Sequence, residues 1–313
     1  MESQSFSCKL ESRPGQLLID HLLNTSKDCA EQVKHTDFQF NPDIAPDVLC
    51  VVADLIGYTH DFGKATRFFQ SYIHEIDDET RYSLKNDKKT QHGLLSSLFT
   101  YQIVSHYICS QNLQEEGLYK FLPIISFLVV KKHHGNLKNL KDEILSINPS
   151  INREKMLVVK EQLESIDKQE FDTIRQNHSK IGITLNGFKE KVEVMMADTI
   201  CRQEHKKRRR FLKNNIDAYF LFQFLYSALL SADKYDAAGI RTPNEKLPLE
   251  SDLVDRYLAI KFDGTQEDNL INPIRNEIYQ TICGAVDSLD INDRILSINV
   301  PTAAILGEGL KFA

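Results

Sequence analysis

The run from Leu118 to His134 is apolar nearly all round. A helix of that composition has no face to offer water, so it must lie at the centre of a larger assembly. Its most apolar part, Phe121 to Val130, is too short for a membrane span, which needs about 18 apolar residues, and it runs into Lys131 and Lys132. Gly135 is placed to stop the helix. A buried helix needs partners, and the surrounding periodicity supplies them. Leu17, Leu18, Leu22 and Leu23 make an apolar face with His21 beside it. Val48, Val51, Val52, Leu55 and Ile56 repeat at the spacing of one buried face between Asp47 and Tyr58. Further helical stretches run from Ala65 to Ile73 and from Gly93 to Ile108. Another, from Asn214 to Ala238, carries Phe220, Phe222, Phe224, Leu225, Leu229 and Leu230.

Strand-like runs are few, so the pattern predicts an all-α domain over residues 1–241. Within it, Asn139 to Lys180 is polar and charge-rich and reads as surface helices with an insertion-like connection. Residues 242–313 read as a connector, with Pro243 and Pro248, followed by a helix from Asn269 to Val286 and a strand-type run from Arg294 to Val300.

Six scattered cysteines form no CxxC pair, which argues against a structural zinc knuckle and suits reduced thiols in a cytoplasmic protein. No basic-then-apolar leader pattern opens the chain, which again predicts a cytoplasmic protein without a membrane segment. The formal net charge of −6 does not advertise nucleic-acid binding. It does not exclude it, because bound ions and local basic patches carry their own fields.

The chemistry-bearing residues gather at helix ends. His60 and Asp61 are adjacent where two apolar stretches meet, with Gly63 and Lys64 just after. His21, His92, His133, His134 and Asp233 fall on polar edges or ends of the other apolar helices. Several helices each giving one or two inward ligands is how a bundle builds a metal site. So many imidazoles favour Mn, Fe, Co, Ni or Zn over an oxygen-only Mg or Ca site. Two divalent ions against the charges of Asp61 and Asp233 leave a net positive site suited to a phosphodiester. His35, His74, His106, His178 and His205 sit in polar or amphipathic contexts and read as structural or exposed.

Four elements together resemble the HD nuclease domain of the CRISPR-associated nuclease-helicase of type I systems. They are His60-Asp61-Phe62-Gly63-Lys64-Ala65 followed by Phe68-Phe69-Gln70, then His92, then Lys132-His133-His134-Gly135, then Ser231-Ala232-Asp233-Lys234-Tyr235-Asp236-Ala237. The resemblance covers about residues 15–240 and implies an HD helical bundle acting as a metal-dependent nuclease on single-stranded DNA. It implies that His21, His60, Asp61 and Asp233 hold one ion, and that Asp61, His92, His133 and His134 hold a second, with Asp61 bridging. It implies that Lys64 contacts the scissile phosphate; the alternative is a solvated turn lysine. An RNA-guided surveillance complex and a helicase domain or subunit are the implied partners.

Two features lie outside that core. Lys206, Lys207, Arg208, Arg209 and Arg210 form the one dense basic run, a candidate DNA-backbone contact or a solvated helix face. Phe211, Tyr219 and Phe220 nearby have a spacing that suits core packing better than base stacking. Near the C-terminus, Ile295 to Thr302 resembles the approach to a helicase phosphate loop, but Ala303 to Lys311 supplies no Gly-x-Gly-Lys-Thr. No ATPase activity is therefore expected. The leading expectation is a two-metal DNase. The alternatives are an HD phosphohydrolase on nucleotides or cyclic nucleotides, and a non-catalytic DNA- or protein-binding module.

Overall fold

The computed structural model describes residues 10–36, 44–135, 149–166, 215–240, 252–261 and 271–288. The backbone contacts divide the chain into two units, 1–244 and 245–313. In the first unit the elements are a hairpin of β1 (Glu11–Arg13) and β2 (Gln16–Leu17), then helices α1 (Leu18–Lys34), α2 (Pro46–Thr59), α3 (Arg67–His74), α4 (Asp78–Asn86), α5 (Gly93–Ser110), α6 (Leu122–Lys132), α7 (Pro149–Ser165) and α8 (Ile216–Ala237). Short 3₁₀ turns cover Phe62–Ala65 and Tyr119–Phe121. In the second unit the described elements are two helices, Leu253–Lys261 and Ile271–Asp287. The strand-type run Arg294 to Val300 and the residues after it lie outside the described residues.

The most apolar helix is central, as its composition requires. In α6 every residue from Leu122 to Val130 is buried. The expected single helix from Leu118 is broken, however. Pro123 has no N–H to donate and fits only the first helical turn, so α6 starts at Leu122 and the residues before it form a 3₁₀ turn. The helix also ends at Lys132, short of Gly135, because His133 caps it.

Helices α1 and α2 pack closely, as do α5 and α6, and α8 lies against α1. Gly57 permits the first contact. A Cβ at that position would sit 2.6 Å from the Ser26 Cα and 2.8 Å from the Thr25 carbonyl oxygen, so only glycine lets the two backbones approach so far. Phe62 and Phe99, with ring centroids 4.1 Å apart, fill the space between the 3₁₀ turn and α5.

Several expectations change at this level. The hairpin ahead of α1 adds a small antiparallel sheet to a domain expected to be all helix. Three residues of strand are too few to show alternation. Helix α7, expected at the surface, buries Val159 and Leu163, and Ile166 just after it is also buried. Val51 and Leu23 are exposed at 37% and 45%, because the buried stripe of each helix is narrower than its apolar content. Tyr219 and Phe220 are more than half exposed and do not pack in the core, whereas Ala218, Leu221 and Leu225 are buried and Phe222 and Phe224 are partly buried against it.

Candidate metal centre

Asp61 is the focus of the site, and it is buried completely. It follows the end of α2, where His60 caps the helix and the chain turns into the 3₁₀ segment. Three local contacts fix that turn. The Lys64 N–H donates to the Asp61 carbonyl at 2.9 Å, and the Gly63 N–H donates to the Ser96 hydroxyl at 2.9 Å. The Gln70 amide donates to the Lys64 carbonyl at 2.8 Å. Gly63 is required sterically, since a Cβ there would lie 2.7 Å from the His92 carbonyl oxygen and 2.8 Å from the His92 Cβ.

Each carboxylate oxygen of Asp61 faces a different set of imidazoles. Oδ2 lies 3.1 Å from His21 Nε2, 3.3 Å from His60 Nε2 and 2.6 Å from Lys64 Nζ. Oδ1 lies 3.0 Å from His92 Nε2, 3.3 Å from His133 Nε2 and 3.9 Å from His134 Nε2. Asp233, in the last turns of α8, completes the first set, with Oδ1 at 3.3 Å from His21 Nε2 and 3.7 Å from His60 Nε2. The donor atoms within each set all lie within 4.8 Å of one another.

The helix ends make these nitrogens available. His60 Nδ1 donates to the Gly57 carbonyl at 2.7 Å, and His133 Nδ1 donates to the Val130 carbonyl in the same three-residue pattern. Each bond adds a partner to a carbonyl at a helix C-terminus and turns the Nε2 edge of the ring toward the site. The negative ends of α2 and α6 therefore also point at the centre, which favours a cation there.

His21, in the first turn of α1, is oriented by Asp236. Its Nδ1 donates to Asp236 Oδ2 at 2.6 Å. The Asp236 carboxylate also accepts from Gln16 Nε2 at 2.7 Å and from Asn24 Nδ2 at 2.7 Å, and its carbonyl accepts from Arg13. The hairpin thus positions the residue that positions His21. Asp236 stands in the Ser231–Ala237 motif, but the sequence alone assigns it no role. The signal was present in the three-residue spacing, which puts both carboxylates on one helix face.

Divalent ions fit these donors. Asp61 Oδ1, His92 Nε2 and His133 Nε2 are buried side by side without a hydrogen-bond partner. Leaving such atoms unpaired costs about 1–3 kcal/mol each, and a cation among them removes that cost. Donor separations of about 3 Å are also what neighbouring ligands about 2.1 Å from one ion must have. The mixture of imidazole and carboxylate suits a transition metal.

Electrostatics differ between the sets. Burial alone would lower the His21 pKa, but hydrogen bonds to Asp233, Asp236 and Asp61 outweigh it and raise it to about 10. His60 is also held above its ordinary value, with the charge of Asp61 overcoming burial. At His92 burial wins and lowers the pKa to about 4, and partial burial beside other imidazoles lowers that of His134. Burial opposes ionisation of Asp61, but the surrounding His60, Lys64 and His92 hold its carboxyl well below the usual range. The imidazoles likewise lower Asp233 against its burial.

The structure gathers His21, His60, Asp61, Lys64, His92, His133, His134 and Asp233 into one centre. His35 pairs with exposed Glu31, His74 pairs with half-buried Glu11, and His106 is exposed. His178, His205, Phe211 and the basic run Lys206, Lys207, Arg208, Arg209 and Arg210 lie outside the described residues. Among the described residues, no helix is long and apolar enough to cross a membrane.

A family model described as Cas3, HD domain, matches residues 9–204. That span contains His21, His60, Asp61, Lys64, His92, His133 and His134, while Asp233 and Asp236 lie beyond it. No curated protein and no solved structure matches the chain.

Proposed function

The chain belongs to the Cas3 HD-domain family of CRISPR-associated, metal-dependent nucleases, and on that premise we propose that it hydrolyses single-stranded DNA with two divalent ions. The observation that carries this reading is the division of Asp61, with one buried oxygen toward each donor set. His21, His60, Asp61 and Asp233 would hold one ion, and Asp61, His92, His133 and His134 the other. Bound there, the ions would supply an activated water and charge stabilisation for both oxygens of an in-line displacement.

The protein's own groups do the rest. The Nδ1 bonds to the Gly57 and Val130 carbonyls hold the imidazoles of His60 and His133 in place. Lys64 is only 11% exposed, and its ammonium reaches the centre at Asp61. It can neutralise the charge that builds on a phosphodiester as water adds and the bridging P–O bond breaks. No serine or cysteine nucleophile is required.

We take residues 1–241 as the nuclease domain and 242–313 as a connector with the start of a helicase domain, in keeping with contact units of 1–244 and 245–313. The 313 residues contain no phosphate-loop lysine, which supports the absence of ATPase activity. The proposed partners are a helicase domain or subunit and an RNA-guided surveillance complex acting in the cytoplasm.

The test uses circular single-stranded DNA and purified chain with Mn²⁺, Co²⁺ or Ni²⁺. Nicking is expected, with complete loss in chelator and in Asp61→Ala. Cleavage retained in that variant refutes the assignment, as does turnover of free or cyclic nucleotides without any DNA cleavage. DNA-stimulated ATP hydrolysis refutes the ATPase statement.

A further inference from the structure

A cleft of about 840 Å³ opens onto only one of the two donor sets. His92, His133, His134 and Lys64 line it, whereas His21, His60 and Asp233 do not. The burial pattern agrees. The His134 side chain is 51% exposed, while those of His21 and His60 are closed off at 2% and 0%. Among the described residues, the His134 side is the more open approach to the centre.

The walls of this cleft differ in charge from the chain as a whole. Around its described outer part stand Lys85 near the end of α4, Lys88 just after it, Lys131 on α6 and Lys155 on α7, against the single carboxylate of Glu154. The chain carries −6 overall, so the net positive charge of the described lining is a local arrangement. Glu154 pairs with Lys88 at 2.6 Å, but both side chains are about two-thirds exposed or more. An ion pair that open to water is worth little and yields readily to a phosphate. Tyr72, half-buried at the end of α3, adds an aromatic side chain to the same wall. Cations that track a backbone, together with an aromatic face for an unstacked base, are how single strands are held without sequence preference. A duplex keeps its bases stacked and has no use for the tyrosine.

We propose that this cleft is the entry track for the single strand. Lys85, Lys88 and Lys155 contact successive phosphates, and Tyr72 stacks on a base, on the way to the ion held by His92, His133 and His134. The inference rests on the nuclease reading for its substrate class but names residues that reading does not use.

Lys85 and Lys88 are exposed, so their replacement leaves the core intact. The test measures binding of a fluorescent single-stranded oligonucleotide to the full chain in chelator, across a range of salt, for the wild type and for Lys85→Gln/Lys88→Gln. Each single-strand phosphate contact contributes a salt slope of about 0.7. Loss of two contacts should lower the slope by about 1.4 and weaken binding about 25-fold at about 0.1 M salt. Tyr72→Leu should weaken single-strand binding about tenfold and leave duplex binding unchanged.

Unchanged affinity and slope in that variant overturn the proposal. So does weakened mononucleotide binding with an unchanged oligonucleotide slope, which would make the cleft a nucleotide pocket. A wild type that binds as expected but never cuts DNA refutes the nuclease reading while leaving the track in place.

Discussion

Raising the pH from about 6.5 to about 8.5 should strengthen ion binding much more at one donor set than at the other. His21, opposed by its burial but hydrogen-bonded to Asp233, Asp236 and Asp61, has its pKa raised to about 10 in the ion-free site. An ion needs the bare nitrogen, so binding must displace that proton. At pH 7 only about one molecule in a thousand has His21 unprotonated, and each pH unit up to about 10 multiplies that fraction by about ten. Affinity at the His21, His60, Asp61 and Asp233 set should therefore rise at least about a hundredfold over the interval, with at least one proton released per ion. His60, also held above its ordinary value, can only steepen the dependence. The second set depends less on pH. Burial lowers His92 to about 4, so it is already bare at the start of the range, and His134 beside it is also shifted downward. The assay is calorimetric titration with Mn²⁺ in two buffers of different protonation enthalpy, which counts the protons released. Asp233→Ala and His134→Ala, each weakening one set, separate the two events. Equal pH slopes in the two variants, or ion uptake at the first set without proton release, would refute the reasoning.

Three further outcomes can be checked. Asp61→Asn should lose both ions, whereas Asp233→Asn should lose one, as read by elemental analysis after desalting; one tightly held ion in Asp61→Asn would contradict the bridging arrangement. Asp236→Ala should weaken the first ion about 10- to 100-fold with little change in melting temperature, because it removes the group that orients His21 and touches no ion itself. Gly63→Ala should displace His92 and cost the second ion preferentially, while the first stays bound; equal loss of both would mean that the turn, and not His92, had moved.

Much of this architecture was legible because the relevant signals are local. The all-round apolar composition of α6 required a central position, and residues 122–130 are buried. Pro123 was visible too, but its effect on the helix start depended on a chain path that periodicity does not give. The aromatics Tyr219 and Phe220 misled for a related reason. Their spacing is that of a helix, but which stripe of α8 faces α1 is set by packing, and they fall on the outer side. The hairpin carried no readable pattern in its few residues, although it holds Asp236 through Arg13 and Gln16.

By itself the sequence determined that the chain would form apolar helices bearing imidazoles and carboxylates at their ends. Those properties depend on residue type and on spacings of three and four, which a single segment contains. Only the tertiary structure decided how the ligands are shared. Asp61 Oδ1 turns to His92 and His133, and Oδ2 to His21 and His60, because α1, α2, α5 and α6 meet around one turn. Packing likewise decided that His21 would be buried among three carboxylates and keep its proton, while His92 would be buried among other imidazoles and lose it. Those differences come from distances between segments far apart in the chain.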